Sequence, residues 1–310
     1  MAEYREIEEI NGGGYRAQIH VSEGANCICL ENQSVGADIL RQPDYSVRID
    51  NPYLYGMPIL FPVNRIADGR FCFEGRDYRF PINEPETGCH LHGELHKKEF
   101  VVRQKTASHI VCSYSSAFAD RGFPHPYTVT LHYVVSENGL SLKTEITNHS
   151  DLNMPVLLGF HTTFNIPFLK GSDAKNIRIA AEVSDEVERD PKTYLPTGII
   201  RHDSAVSRLF NSGEFSPLDT KISLHYKAKG EGKIILTDTV RHMQVVYEND
   251  ANFGWRLFYN GNADQFICLE PQTCMVNCKN SGLPDSYTGF DYVSPLSTKT
   301  YRSAIRLQAE

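Results

Sequence analysis

Residues 127–146 read YTVTLHYVVSENGLSLKTEI, and this stretch indicates the fold class. Large apolar side chains occupy every second position from Tyr127 to Val135, which is the period of a strand with one buried face. Residues 136–139, Ser-Glu-Asn-Gly, supply a turn, because Asn and Gly tolerate the positive φ of tight hairpins. The alternation resumes from Leu140 to Ile146. The stretch therefore predicts an antiparallel hairpin.

The same alternation recurs along the chain, whereas long helical periodicity is almost absent. Phe71 and Phe73 alternate with polar neighbours, residues 74–77 form a turn, and Tyr78 and Phe80 resume the pattern. Many short strands separated by turns predict an all-β protein, a large antiparallel β-sandwich with few short helices. Further strands are predicted at 25–30, 100–102, 109–114, 155–164, 221–226, 233–237, 243–247, 255–259, 265–270 and 301–307.

The chain shows no linker and no internal repeat, so residues 1–310 are predicted to form a single domain. Residues 185–214 are the most polar and loop-like, and we expect them to cover one end of a sheet. The eight cysteines lack paired CxxC spacing, which favours reduced, mostly buried thiols in a cytoplasmic protein. We do not expect the glutamate-rich start to be a signal peptide.

Composition excludes several classes of partner. The net charge is −7 and no basic run occurs, which argues against a nucleic-acid or anionic membrane surface. No stretch approaches the roughly 18 apolar residues of a membrane span. A small neutral ligand fits this charge balance best.

Three histidines fall within residues 88–96, Gly-Cys-His-Leu-His-Gly-Glu-Leu-His. Strand alternation would put His90 and His92 on one face and Leu91 on the other. Such a cluster suggests either proton transfer or, with Glu270, a metal site that includes His96. Both chemistries remain open from these residues alone.

Three other segments carry candidate site residues. His161 lies on the polar stripe of the predicted strand 155–164, and either lines a cleft or is hydrogen-bonded at the edge of the core. Glu270 ends an apolar run before Pro271, where burial would raise its pKa towards that of a general base, although a surface position is the alternative. Arg65 lies between apolar residues and needs a partner, either a ligand or an internal carboxylate.

Four segments, in this order, resemble the aldose 1-epimerase family over about residues 20–305. The resemblance implies a single domain of that family with the galactose mutarotase-like β-sandwich, an open sugar cleft, no metal and no organic cofactor. The segments are Asn64-Arg65-Ile66, Leu91-His92-Gly93-Glu94, His161-Thr162-Thr163-Phe164-Asn165 and Glu270-Pro271-Gln272.

The resemblance also implies roles for individual residues. Glu270 would remove the proton of the C1 hydroxyl, and His161 would protonate the ring oxygen, which opens the pyranose. His92 would hold or polarise the ring oxygen. Arg65 and Asn64 would bind substrate hydroxyls.

The resemblance is incomplete at several positions. Glu94 stands where the family has a second glycine, and Thr162 stands where it has a tyrosine. The family's hydroxyl-binding aspartate matches best at Asp219, in a poorly matching segment. His90 and His96 have no family role, and we expect them to face solvent or to support the site.

These observations predict an enzyme that interconverts hexose anomers, acts on a small-molecule sugar, and is a monomer or a homodimer. A hexose-6-phosphate epimerase is an alternative that needs a cationic pair, such as Arg65 with Arg70. A non-catalytic sugar-binding or sensing protein is another, with Trp255, Phe164 and Phe71 as stacking candidates. A metal-dependent hydrolase or isomerase on the histidine cluster is the third.

Overall fold

Two large antiparallel sheets carry the fold, which confirms the all-β sandwich. The computed structural model describes residues 6–46, 49–116, 122–263 and 265–310. The described strands are β1 (Ile7–Gly12), β2 (Tyr15–His20), β3 (Asn26–Asn32), β4 (Ala37–Asp38), β5 (Ile59–Leu60), β6 (Arg65–Ala67), β7 (Arg70–Phe73), β8 (Arg76–Arg79), β9 (Cys89–Leu91), β10 (Val101–Lys105), β11 (His109–Ser116), β12 (Tyr127–Ser136), β13 (Gly139–Asn148), β14 (Met154–Val156), β15 (Gly159–Phe160), β16 (Thr162–Asn165), β17 (Ile177–Ala181), β18 (Val183–Arg189), β19 (Pro196–Arg201), β20 (Ser223–Ala228), β21 (Ile234–Asp238), β22 (Met243–Asn249), β23 (Trp255–Tyr259), β24 (Phe266–Gln272), β25 (Asp291–Val293) and β26 (Thr298–Ala309).

Helical structure is scarce within the described ranges. The α-helices are α1 (Ala205–Ser212) and α2 (Asp285–Thr288). Short 3₁₀ turns lie at Pro52–Leu54, Leu95–Lys97, Ala174–Asn176 and Cys278–Asn280. Neither α-helix of the described chain has the length and apolar character needed to cross a membrane.

The first sheet has the strand order β10-β11-β12-β13-β26-β22-β21-β17. The predicted hairpin lies in it as β12 and β13, which pair from Tyr127↔Asn148 to Ser136↔Gly139. The apolar positions of β12 are buried and the intervening ones are more exposed, as the alternation predicts. The last strand, β26, lies between β13 and β22 and so joins the two halves of this sheet.

The second sheet has the order β19-β18-β20-β23-β24-β15-β5, and β16 also pairs with β24. Its contact with the first sheet is direct, because Phe164 of β16 packs on the ring of Tyr247 in β22. Smaller sheets are formed by β1–β4, β6 with β9, β7 with β8, and β14 with β25. The hairpin predicted at residues 71–80 is the β7–β8 pair, in register Phe71↔Tyr78.

Two predicted segments differ from the observed structure. Residues 155–164 do not form one strand, but fall across the short strands β14, β15 and β16, which lie in two different sheets. Residues 185–214 are not a loop, because they fall mostly in β18, β19 and α1. Ser204 caps the start of α1, and Gly213 ends it in the left-handed conformation.

The histidine segment also differs from its prediction. Strand β9 ends at Leu91, because His92 and Gly93 have φ angles of 60° and 65°. Left-handed residues interrupt the alternation of a strand, so His90 and His92 do not share a face. All eight cysteines are free thiols, and of these Cys72 is the exposed one.

Candidate active site

A cleft of about 850 Å³ opens on the second sheet, within the size range of about 300–1,000 Å³ that is common for small-molecule sites. Five of the six predicted site residues line it. They are Asn64, Arg65, His92, His161 and Glu270.

Strand register brings Glu270 and His161 together. The pairs Thr162↔Leu269 and Gly159↔Gln272 continue one antiparallel register, which puts His161 opposite Glu270. His161 Nε2 lies 3.1 Å from Glu270 Oε1. Both side chains are buried, and Glu270 is 1 % exposed. Residues that are 109 positions apart in the chain thus become a contacting acid/base pair.

Burial decides the protonation of this pair. It raises the pKa of Glu270 to about 8 and lowers the pKa of His161 to about 3, because both charged forms lose their hydration. At neutral pH the pair therefore holds one titratable proton, which lies on the carboxyl group, and the imidazole is neutral. Among the described residues, neither Glu270 Oε1 nor His161 Nδ1 has a partner of hydrogen-bond geometry, although Oε1 lies 3.1 Å from His161 Nε2, and both atoms are buried.

His92 lies against the pair in a fixed orientation. Its ring is nearly perpendicular to that of His161, with 5.6 Å between the ring centroids. Its Nδ1 accepts the backbone N–H of Asn64, and its own backbone N–H donates to the Asn64 carbonyl. Burial lowers the pKa of His92 well below its ordinary value, so the ring is neutral and its proton lies on Nε2. His92 can therefore donate a hydrogen bond without carrying charge.

An amide pair behind Glu270 orients the carboxyl group. Gln272 Nε2 donates to Glu270 Oε2 at 3.1 Å, and Asn64 Nδ2 donates to Gln272 Oε1 at 3.0 Å. Asn64 Oδ1 accepts the backbone N–H of Arg65. These bonds fix which end of each amide faces which partner. Sequence reasoning assigned no role to Gln272, although its Glu-Pro-Gln segment was the available signal.

Arg65 lines the cleft but already has an internal partner. Its guanidinium makes two bonds of 2.6 Å to the Glu84 carboxylate, which is the salt-bridge alternative considered from the sequence. The guanidinium also lies 4.4 Å from the centre of the Tyr194 ring. Arg70 is exposed and lies outside the described lining of the cleft, so the pair of Arg65 with Arg70 does not form there.

Asp219 is the predicted site residue that the fold does not bring to the cleft. It is exposed, in a turn that its backbone N–H closes on Ser216, and it lies outside the described residues that line the cleft. The side of the cleft formed by β18, β20, β23 and the segments beside them is lined by other residues, namely Arg189, Lys192, Tyr194, Lys221, Ser223 and Tyr259. Several of them were missed because residues 185–214 looked like a loop.

The aromatic residues of the cleft also differ from the candidates. Trp255, Phe164 and Phe71 are 1 %, 0 % and 4 % exposed and belong to the hydrophobic core. Tyr53 takes the central position instead. Its ring centroid lies 4.8, 4.7 and 5.8 Å from those of His92, His96 and His161. The Asn51 side chain accepts the Tyr53 backbone N–H and so fixes the turn that carries this ring.

His90 and His96 do not face solvent, because they are 1 % and 5 % exposed. His90 lines a separate aromatic cavity of about 360 Å³, where its Nδ1 lies 2.7 Å from the Pro81 carbonyl oxygen. His96 packs on Tyr53 instead. Within the described ranges, no group of three His, Cys, Asp or Glu side chains has the geometry to hold a metal ion.

Known proteins resemble this chain in sequence and in fold. A family model described as aldose 1-epimerase matches residues 6–288. A galactose mutarotase-like protein from Clostridium acetobutylicum has a solved structure with a TM-score of 0.92 and 26% sequence identity, covering 97% of this chain and 95% of that chain.

Two curated proteins are also similar. The chain is 24% identical over 278 residues to the uncharacterized protein YihR of Escherichia coli (strain K12), covering 87% of this chain and 85% of that protein. It is 28% identical over 151 residues to the galactose mutarotase of Rattus norvegicus, covering 48% of this chain and 42% of that protein.

Proposed function

This chain belongs to the aldose 1-epimerase family, and we propose that it interconverts the α and β anomers of a hexose by acid/base ring opening and reclosure. The observation that carries the proposal is the 3.1 Å contact of His161 with a buried Glu270 in a cleft of suitable size. Mutarotation needs one acid and one base, each of which contributes about 10²–10⁴-fold to the rate.

The proposed reaction moves two protons. Glu270 takes the proton of the C1 hydroxyl while the bond from C1 to the ring oxygen breaks. The electron pair of that bond stays on the ring oxygen, which takes a proton from His161, and C1 becomes an aldehyde. Rotation about C1–C2 presents the other face of the aldehyde. On reclosure the C5 hydroxyl returns its proton to His161, and Glu270 gives its proton back to the C1 oxygen, which yields the other anomer.

The arrangement of the pair suits a hemiacetal, in which both reacting oxygens are bonded to C1. Neighbouring acid and base groups can therefore reach the two oxygens together, which supports a concerted proton exchange. The pair holds one titratable proton at neutral pH, and the reaction needs one. That proton must first move from Glu270 to His161. His92 would donate a hydrogen bond from Nε2 to the ring oxygen and so polarise it, without transferring its proton. Hydroxyl binding by Arg65 and Asn64 stays a prediction.

Polarimetry of freshly dissolved α-D-glucose and α-D-galactose, with chelator present, tests the proposal. We expect the protein to accelerate equilibration, and Glu270→Gln and His161→Ala each to lower kcat/KM at least about 10²-fold. Glu214→Gln, which removes an exposed carboxylate outside the described lining of the cleft, is the control and should be fully active.

Circular dichroism would check that both variants are folded. Near-full activity of either variant would contradict the assigned roles. Saturable sugar binding by the wild type without any acceleration would favour the non-catalytic binding protein instead.

A further inference from the structure

One wall of the cleft carries three cationic side chains, Arg189, Lys192 and Lys221. Arg189 ends β18, Lys192 lies in the turn to β19, and Lys221 precedes β20. Among the ion pairs of the described residues, none includes any of these three. In a chain of net charge −7, this wall is a local excess of positive charge.

Asp190, outside the described lining of the cleft, acts on Lys192 from the same turn, but the acidic residues that do line the cleft lie on other segments. Arg65 and Glu84 neutralise each other, and Lys97 pairs with Glu94 at 3.4 Å. The acids Asp50, Glu84 and Glu86 come from the chain segments before β9 and not from the segments that carry the three cations. A ligand that spans the cleft would therefore meet cations at the end formed by β18 and β20.

Arg189 is held in place without a carboxylate. Its Nη2 donates to the carbonyl and to the hydroxyl oxygen of Ser223, across the β18–β20 pair. Burial and the nearby Arg65 lower the pKa of Arg189 to about 10. Glu270 and Glu186 act on Arg189 electrostatically, but neither forms an ion pair with it, so an anion bound beside this half-buried cation would offset part of the cost of its burial.

Hydrogen bonds within the turn after β18 fix its backbone, and the turn lines the cleft. Asp190 Oδ1 accepts the backbone N–H groups of Lys192 and Thr193. Tyr194 has a φ of 57°, which is unusual for an aromatic residue. Its ring lies 4.4 Å from the Arg65 guanidinium and 5.8 Å from that of Arg189.

Sheet register relates this wall to the reacting pair. Glu270 pairs with Leu257, Leu257 with His225, and His225 with Val187, so these residues form one row across the sheet. Arg189 and Ser223 lie two residues from that row, which is about 7 Å along the strands and on the same face. Arg189 also lies three strands from Glu270, which is about 14 Å across the sheet, so its long side chain must extend towards the pair to reach a C6 substituent. The electrostatic interaction between Arg189 and Glu270 indicates that both side chains reach into the same part of the cleft.

We propose that the substrate is an aldohexose with an anionic group on C6, either a carboxylate or a phosphate, which is bound by Arg189 with Lys192 and Lys221. The inference rests on the proposed mutarotation, because that reaction puts C1 at Glu270 and His161. It replaces both the neutral ligand expected from net charge and the cationic pair expected at Arg65 and Arg70.

NMR saturation transfer between the anomeric protons at equilibrium measures kcat/KM for D-glucose, D-glucuronate and D-glucose 6-phosphate alike. We expect at least one anionic sugar to exceed glucose by at least about tenfold at low ionic strength, and added salt to reduce that ratio. Comparing glucuronate with glucose 6-phosphate distinguishes a carboxylate from a phosphate as the bound group.

A pair of double variants tests the residues. Lys192→Gln with Lys221→Gln should lower the ratio of anionic to neutral kcat/KM several-fold. Lys175→Gln with Lys229→Gln removes the same charge from exposed positions outside the described lining of the cleft, and should leave the ratio unchanged. Turnover of glucose at a rate equal to that of both anionic sugars, or an equal loss in both double variants, would overturn the inference and leave mutarotation intact.

If no sugar is turned over, the proposed function fails, and calorimetric titration with the same sugars decides the inference separately. Tighter binding of an anionic sugar than of glucose, weakened in the Lys192/Lys221 variant alone, would support it. Absence of such binding would overturn it.

Discussion

The shared proton of Glu270 and His161 predicts a specific pH profile. The proposed reaction uses the form of the pair that holds one proton, and this form persists from the pKa of His161, about 3, to that of Glu270, about 8. We therefore expect kcat/KM to be level through neutral pH and to fall about tenfold per pH unit above pH 8, because no acid remains. Saturation transfer over this range, with the uncatalysed rate subtracted, measures it. A rate that rises through pH 8 would mean that the working form has lost this proton.

The raised pKa of Glu270 also predicts that Glu270→Gln stabilises the protein in alkaline solution. Glu270 ionises near 4.5 when unfolded and near 8 when folded, so its stabilising contribution is complete below pH 4.5 and is lost as the pH rises through 8. Glutamine does not titrate. Between pH 5 and pH 8 the free energy of unfolding of the wild type should fall by about 3 kcal/mol relative to the variant.

Urea unfolding of both proteins at the two pH values measures this difference. The comparison cancels the titrating groups that do not contact residue 270, because the two chains differ only there. A difference that does not change with pH would show that Glu270 ionises normally in the folded protein.

At the scale of elements, the turn after β9 depends on glycine. Gly93 has a φ of 65°, and a Cβ there would lie 1.9 Å from the Phe61 carbonyl oxygen, so Gly93→Ala must displace the turn and His92 with it. Gly88, in the same segment, has a φ of 68° but no described atom within 4 Å of such a Cβ. Gly88→Ala should cost only the left-handed penalty of about 1–2 kcal/mol. Gly93→Ala should cost at least about 2 kcal/mol more and lose activity.

Urea denaturation and kcat/KM of the two alanine variants would compare these effects directly. Equal stability and equal activity would mean that the turn can move away from Phe61 without cost. Selective loss in Gly93→Ala would link the close approach of the two backbones to the position of His92.

At the scale of the whole molecule, the two sheets share a core. The hydroxyls of Thr162 and Tyr247 lie 2.9 Å apart where the two sheets meet. The first sheet is complete only when β26, at the end of the chain, has paired with β13 and β22. Loss of either sheet would expose the apolar face of the other. We therefore expect residues 1–310 to unfold in one cooperative step.

The single tryptophan, Trp255 in β23, reports on the second sheet, and far-UV circular dichroism reports on all strands. Both signals should show one common midpoint in urea. Separate midpoints would contradict the prediction of a single domain.

Much of the fold could be predicted from neighbouring residues alone. The alternation at 127–146 is a local property, because each side chain of a strand points opposite to the next, and it appears as β12 and β13. The four short motifs likewise identified the family, and they include Glu270 and His161. Such signals need no knowledge of what packs against them.

The composition of the site depended on which strands pair. His161 meets Glu270 through the β16–β24 register, Arg65 meets Glu84, and Arg189 reaches the cleft while Asp219 does not. The positive φ at His92 separates it from His90. These outcomes follow from burial and contacts between distant segments, where the free energy of the whole core selects the pairing. Local periodicity carries no information about that selection, so only the three-dimensional arrangement could reveal it.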